Sequence, residues 1–153
     1  MGTNPDFRDL FSAFNAASCR YLVVGAYAVV HYGEPRYTKD LDIWVEPVAD
    51  NARCVLAALK SFGAPVALLT IEDLCNPELV YQIGVEPNRI DVLMGIDGVE
   101  WGEAWAAASE AKYGDDVPIR VIGLDHLIRA KQASGRLQDQ LDIEILKQVK
   151  RRR

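Results

Sequence analysis

The segment that decides the fold reads Thr38-Lys39-Asp40-Leu41-Asp42-Ile43-Trp44-Val45-Glu46. Apolar and polar residues alternate from Asp40 to Val45, which predicts a strand with its apolar side chains on one face. Asp40 and Asp42 then project together from the other face. Two neighbouring carboxylates repel each other unless a proton or a cation lies between them. A solvated strand face explains such a pair without a ligand, whereas Mg²⁺ binds carboxylates together with substrate phosphates.

A third carboxylate lies in a second apolar strand, which reads Arg89-Ile90-Asp91-Val92-Leu93-Met94. A charge inside an apolar strand is costly unless it is paired or binds a metal. One interpretation is a structural ion pair between Asp91 and Arg89 or Arg36. The other joins Asp91 with Asp40 and Asp42 on neighbouring strands, as a two-metal site for phosphoryl transfer.

Gly25 marks a third point of interest, between a predicted strand over residues 21–24 and a predicted helix over residues 26–32. Backbone amides at the N-terminus of a helix face an anion readily, and glycine allows the close approach. Glycine is also common at strand-to-helix turns, so the residue alone does not identify a phosphate site.

The remaining pattern predicts an α/β (α+β) fold, with one mixed sheet flanked by helices. We expect further helices at residues 5–18, 49–62, 99–112, 124–134 and 137–150. The other strands are expected at 79–85 and 89–94, joined as a hairpin, and at 118–122 as a short edge-like strand. A single domain over residues 1–153 follows, with its core at about 20–145 and a basic tail at 146–153.

Composition narrows the class of protein. The chain has 153 residues, of which 50% are hydrophobic and 25% charged, and its net charge is −5. No apolar run is long enough for a membrane helix and no secretory signal is visible, so we expect a cytoplasmic protein without a membrane partner. Three dispersed cysteines, Cys19, Cys54 and Cys75, are expected to be buried free thiols.

Charge is distributed unevenly along the chain. Residues 124–153 carry a net charge of +4 and the preceding residues −9. An acidic body disfavours general nucleic-acid binding. The basic end is interpreted either as a solvated tail or as a local site for a phosphate-bearing ligand.

Taken together, these motifs resemble the minimal nucleotidyltransferases of the DNA polymerase beta superfamily. The run from Tyr21 to Gly33, followed by Arg36-Tyr37-Thr38-Lys39-Asp40-Leu41-Asp42, is similar to the opening motif of that group. Ile90-Asp91-Val92 is similar to its later carboxylate strand. Residues 124–142 resemble the C-terminal helix pair of the AbiEii-like branch. The resemblance covers about residues 20–145 and implies a nucleotidyltransferase-like sheet with a C-terminal helix pair.

The resemblance also implies roles for the three carboxylates. Asp40 and Asp42 would bind Mg²⁺, two ions in all, and Asp91 would complete the metal site and help to activate the incoming nucleophile. The residues that would contact the nucleotide are Gly25, Ala26, Arg36, Thr38 and Lys131.

Several of these assignments carry an alternative. For Arg36, a structural ion pair with Asp42 or Glu34 is an equal alternative to a contact with phosphate. Asp139 and Asp142 are interpreted as groups that orient Lys131 or Arg136. Ala26 stands where many relatives have a second glycine or a serine, so any contact from a serine hydroxyl is lost.

The function implied by the resemblance is Mg²⁺-dependent transfer of a nucleoside monophosphate from an NTP to an acceptor hydroxyl. The acceptor is left open among tRNA, a protein and a small molecule. The AbiEii-like branch implies a toxin of a toxin–antitoxin pair, with a cognate antitoxin as partner. The alternative is a nucleotide-binding or interaction domain that kept the fold without catalysis.

Overall fold

The computed structural model describes residues 3–33, 40–85 and 88–152. Its helices are α1 (Pro5–Ala16), α2 (Gly25–Tyr32), α3 (Ala49–Phe62), α4 (Trp101–Ala106), α5 (Leu124–Ser134) and α6 (Leu137–Arg152). Its strands are β1 (Tyr21–Val24), β2 (Leu41–Val45), β3 (Val80–Ile83), β4 (Ile90–Leu93), β5 (Ser109–Tyr113) and β6 (Val117–Val121). A 3-10 turn spans Asp73–Cys75.

The strands form one six-stranded sheet in the order β3-β4-β2-β1-β6-β5. The pairs β2·β4 and β1·β6 are parallel, whereas β1·β2, β3·β4 and β5·β6 are antiparallel. This mixed sheet flanked by helices, with α5 and α6 packed as a C-terminal pair, confirms the predicted fold class. The expected hairpin of β3 and β4 is confirmed as well, although the tip of its turn lies outside the described residues.

The alternation of β2 divides the molecule into two layers. Leu41, Ile43 and Val45 are fully buried on one face, where Tyr21 of β1 stacks on Phe11 and meets Phe14 of α1 edge to face. The opposite face carries Asp42 and Trp44, and there α4 and α5 cover the sheet. The apolar face therefore anchors the strand, and the polar face is free to build a site.

The prediction of one helix over residues 99–112 is wrong in its second half. Helix α4 ends at Ala106, and residues 109–113 form the edge strand β5 instead. Alanine-rich sequence favours a helix locally, but the antiparallel pairing of β5 with β6 extends over five residue pairs. Tertiary pairing overrides weak local propensity at this point.

The predicted edge position of residues 118–122 is also wrong, because β6 lies between β1 and β5. Pairing with β1 is confined to the end of β6, at Val121 and Val23, where the amide of Ile122 donates to Val23. Pro118 lacks a backbone donor and lies outside this short paired stretch, which explains how an inner strand tolerates it.

Two smaller expectations change in detail. Residues 146–152 continue α6 as a helix, in which Leu146 is fully buried and Lys150 lies 2.7 Å from Asp125. The three cysteines are free, as expected, but they are half-buried rather than buried. Within the described residues, no helix combines the length and apolar character that a bilayer-spanning segment requires.

A buried side chain, Asn51, joins β1 to the start of α3. Its side-chain oxygen accepts from the amide of Arg20 at 2.7 Å, and its amide group donates to the carbonyls of Arg20 and Glu46 at 3.0 Å each. We expect Asn51→Ala to lower the free energy of unfolding by roughly 1–3 kcal/mol, because it leaves buried backbone groups without partners. Denaturant unfolding would measure this loss. Arg53→Ala, at an exposed position of the same helix, is the control, and an equal loss in both variants would contradict the assignment.

Candidate active site

Two of the predicted carboxylates lie side by side at the centre of the sheet. The parallel pairing of β2 and β4 places Asp42 directly opposite Asp91, so both side chains leave the same face. Asp91 is only 8% exposed. Burial chiefly, followed by the charge of Asp91 and a hydrogen bond shared with it, raises the pKa of Asp42 to about 7. The pair therefore holds more negative charge than its surroundings accommodate without a proton or a cation.

Gly25 approaches the same carboxylate from the neighbouring strand. Residue 24 pairs with Asp42 in the β1·β2 ladder, and Gly25 then turns into α2 with a φ of +66°. A Cβ atom at Gly25 would overlap Oδ2 of Asp42 and lie 3.0 Å from its Cγ. Both the backbone angle and the available space therefore require glycine here.

Arg89 supplies positive charge to the third carboxylate and its neighbour. Its Nε lies 3.0 Å from Oδ1 of Asp91. Its Nη2 donates to Oδ2 of Asp91 at 3.2 Å, and the same Nη2 lies 3.3 Å from Oδ2 of Asp40. One guanidinium thus bridges the two acidic residues. The pairing of Asp91 with Arg89, one of the two interpretations of the sequence, is present in the structure.

A cavity of about 250 Å³ opens beside Asp42 and Gly25. One part of its wall is polar and comes from Asp42, α5 and the start of α6. The other part is mainly apolar and comes from β4, the segment after it, and α5. The lining residues from the polar part are Asp42, Lys131, Ser134, Arg136 and Asp139, and those from the other part include Leu93, Gly95, Ile96 and Leu127.

Lys131 enters this cavity already paired with two carboxylates. Its Nζ donates to Asp139 at 3.0 Å and to Asp142 at 3.1 Å, and all three residues are buried. Burial opposes the ionisation of Asp139, but hydrogen bonds from Arg136, Ser134 and Lys131 outweigh it and hold the pKa of Asp139 well below its usual range. The expectation that Asp139 and Asp142 orient Lys131 agrees with these contacts.

The carboxylates of the site are the candidate ligands for a divalent cation. Among the described residues, no group of three or more His, Cys, Asp or Glu side chains is arranged to hold a metal ion. However, Oδ1 of Asp40 is buried without a hydrogen-bond partner, and Asp42 and Asp91 crowd each other. A site whose ligands are all carboxylate oxygens, one of them without a hydrogen-bond partner, fits a hard cation such as Mg²⁺. In the structure Arg89 compensates part of their charge.

The structure brings together some of the residues expected to bind nucleotide and not others. Gly25 and Lys131 line the cavity, whereas Ala26, half-buried in the first turn of α2, is absent from the described lining. Arg36 and Thr38 lie outside the described residues. Sequence reasoning assigned no binding role to Arg136, or to the segment after β4 that forms the apolar wall. The glycine at position 95, directly after the carboxylate strand, was the available signal for that segment.

The fold defined by this sheet and its helices is that of nucleotidyltransferases. One solved structure that shares it is the lincosamide antibiotic adenylyltransferase LnuA with lincomycin bound, at 17% identity and a TM-score of 0.62, covering 96% of this chain and 98% of that chain. A second is TM1012 from Thermotoga maritima, a proposed nucleotidyltransferase, at 14% identity and a TM-score of 0.54, covering 96% of this chain and 91% of that chain.

At these identities the likeness is one of fold. No protein-family model matches the chain, and no curated protein sequence matches it closely enough to count as a relative.

Gly25→Ala tests whether Asp42 needs the space beside the turn. We expect it to lower the free energy of unfolding by more than the roughly 1–2 kcal/mol that a left-handed backbone alone costs, because the new Cβ also displaces the Asp42 carboxylate. Gly135→Ala is the matched control, since Gly135 has a φ of +69° and a Cβ atom added there would have nothing within 4 Å. Thermal and denaturant unfolding would compare the two variants. Equal losses would mean that Asp42 moves aside freely.

Proposed function

We propose that this protein is a Mg²⁺-dependent nucleotidyltransferase that moves a nucleoside monophosphate from an NTP to an acceptor hydroxyl. The observation that carries the proposal is the placement of Asp42 opposite Asp91, directly beneath Gly25 and open to a cavity. Phosphoryl transfer requires positioning and charge stabilisation more than covalent chemistry by the protein. The likeness of fold to LnuA and TM1012 supports the same class of reaction.

Asp40, Asp42 and Asp91 would hold the metal, two ions in all as the resemblance implies. When bound, the cations supply positive charge to the nucleotide phosphates and to the charge that develops at the α-phosphorus. The carboxylates would then bind the cations, and this binding would replace both their mutual repulsion and their contact with Arg89. Gly25 lets the backbone at the start of α2 approach the triphosphate, where the amides of a helix N-terminus favour an anion.

In the transfer step the acceptor oxygen forms a bond to the α-phosphorus. The bond from the α-phosphorus to the oxygen that bridges the α- and β-phosphates breaks, and pyrophosphate leaves with that electron pair. The proton of the acceptor hydroxyl passes to the carboxylate of Asp91. Lys131 and Arg136 also line the cavity, where their positive charge would stabilise the negative charge that builds up on the phosphates.

For the acceptor we propose a small molecule that carries a hydroxyl group. LnuA, which shares the fold, is an adenylyltransferase with lincomycin bound, and the acidic body of this chain disfavours a nucleic acid. A tRNA or protein acceptor would instead fit a toxin of the AbiEii-like type with a cognate antitoxin. Growth arrest on expression that disappears in Asp40→Ala would favour that role, and unaffected growth would favour the small-molecule acceptor.

The central test is calorimetric titration of the purified protein with each of the four NTPs, with and without Mg²⁺. We expect binding that depends on Mg²⁺ and that Asp42→Asn weakens by about 100-fold, the upper end of what the loss of even an indirect metal contact costs. Asp9→Asn, on the far layer of the molecule, should leave binding unchanged. Folded wild-type protein that binds no NTP would refute the proposal and favour a non-catalytic domain.

Arg89 offers a test that needs no nucleotide. Because its guanidinium compensates Asp40 and Asp91, we expect Arg89→Gln to lower the metal-free melting temperature by about 3 °C, equivalent to about 1 kcal/mol in a chain of this size. Added Mg²⁺ should then raise the melting temperature more than it does in the wild type.

Arg20→Gln is the control for Arg89→Gln. Arg20 has a similar exposure, 35% against 30%, and pairs with Glu46 and Asp50 away from the site. It should lower the melting temperature without changing the response to Mg²⁺. The same response to Mg²⁺ in both variants would show that Arg89 and the cation do not share the carboxylates.

A further inference from the structure

Two cations line the described part of the cavity, and their surroundings differ sharply. Lys131 has a side chain that is 8% exposed, whereas the side chain of Arg136 is 74% exposed. Both contact Asp139, so this carboxylate connects a buried cation to an exposed one. Which of the two meets an incoming anion depends on how much of its charge is already compensated.

The ammonium of Lys131 is compensated twice over. Two of its three N–H donors already bind Asp139 at 3.0 Å and Asp142 at 3.1 Å, and moving the ammonium towards a phosphate would weaken both contacts. These carboxylates are only 1% and 0% exposed, and a buried charge that loses its partner is strongly destabilising. Lys131 is therefore better suited to fixing the helix pair than to binding a ligand.

The guanidinium of Arg136 is hydrogen-bonded along one edge to Asp139, and the more distant charges of Asp42 and Asp142 also act on it. Its Nε lies 3.0 Å from Oδ2 of Asp139, one Nη lies 3.4 Å from Oδ1, and its backbone amide donates to Oδ2 at 3.3 Å. Among the described residues, the other Nη makes no hydrogen bond or ion pair. The planar fork is thus held in orientation by Asp139, while the side chain as a whole remains 74% exposed.

The position of Arg136 suits a polyphosphate. It lines the cavity that contains Asp42 and Gly25, and α6 begins at the next residue, so the positive end of that helix adds to its potential. Guanidinium groups bind phosphate oxygens in pairs, through two parallel N–H donors. An exposed, pre-oriented fork at the edge of the cavity matches this requirement.

We propose that Arg136, rather than Lys131, binds the polyphosphate of the nucleotide, and that Lys131 is a positioning residue that holds α6 and Arg136 through Asp139. The proposal rests on the proposed function, since it names the polyphosphate contact of that site.

Calorimetric titration with NTP and Mg²⁺, and separately with inorganic tripolyphosphate and Mg²⁺, tests the assignment. Arg136→Ala should weaken the binding of both ligands by at least about tenfold, equivalent to about 1.4 kcal/mol. Arg136→Lys should recover only part of the loss, because a lysine keeps the charge but not the fork. The control is Arg129→Ala, an exposed arginine of α5 that pairs with Glu103 and does not line the described cavity; it should bind like the wild type.

The role of Lys131 is tested by the melting temperature of the protein rather than by its affinity for a ligand. Lys131→Met should lower the melting temperature far more than Arg136→Ala does, because it leaves Asp139 and Asp142 without their shared cation. An Arg136→Ala variant that binds NTP and tripolyphosphate as Arg129→Ala does would overturn the proposal alone. Wild-type protein that binds tripolyphosphate but no NTP would overturn the proposed function alone, and failure to bind either ligand would overturn both.

Discussion

The repulsion between Asp42 and Asp91 is the constraint on which the rest of the site depends. The register of two parallel strands forces these carboxylates together on a buried surface, and each neighbouring feature relieves or exploits that crowding. Gly25 leaves room for the carboxylate of Asp42, and Arg89 draws Asp91 and Asp40 towards one guanidinium. A sheet that gained only stability from these positions would carry apolar residues there, as Leu41 and Ile43 do on the other face.

Positive charge in the site is organised as two separate groups. Arg89 belongs to the carboxylates of the sheet, whereas Lys131 belongs to the carboxylates of α6. The pairing of Lys131 with both Asp139 and Asp142 joins the two helices, and Arg136 balances the second negative charge of this cluster. Arg136 extends from this cluster into the opening, so the exposed charge of the site comes from its edge rather than its floor.

Much of this arrangement follows from the sequence because the relevant patterns are local. Alternation in residues 40–45 and helical spacing in residues 49–62 and 124–134 each predict an element that the structure contains. The edge strand β5 was missed because its pairing with β6 is decided by contacts along the sheet, while the alanines at 106–108 just before it favour a helix locally. The three acidic positions were found from their unusual surroundings in apolar strands.

The charge partners of the candidate site were harder to predict. The spacing of Asp139 and Asp142 placed both on one helix face, and a resemblance supplied Lys131, but exposure is a property of the packed helix pair. Sequence therefore favoured Lys131 as the phosphate contact, whereas burial and ion pairing favour Arg136. Whether a cation is available to a ligand depends on what it already contacts, and those partners come from other elements.

The cavity is walled by parts of the chain that are far apart in sequence. Gly25 and Asp42 come from the first half, whereas Lys131, Arg136 and Asp139 come from the two C-terminal helices and the turn between them. Both helices are attached to the rest of the molecule through apolar side chains that are almost fully buried in the core. A substitution in that packing would shift the polar wall relative to the sheet without touching any charged residue of the cavity. The geometry of the candidate site thus depends on apolar contacts that contribute nothing to its charge.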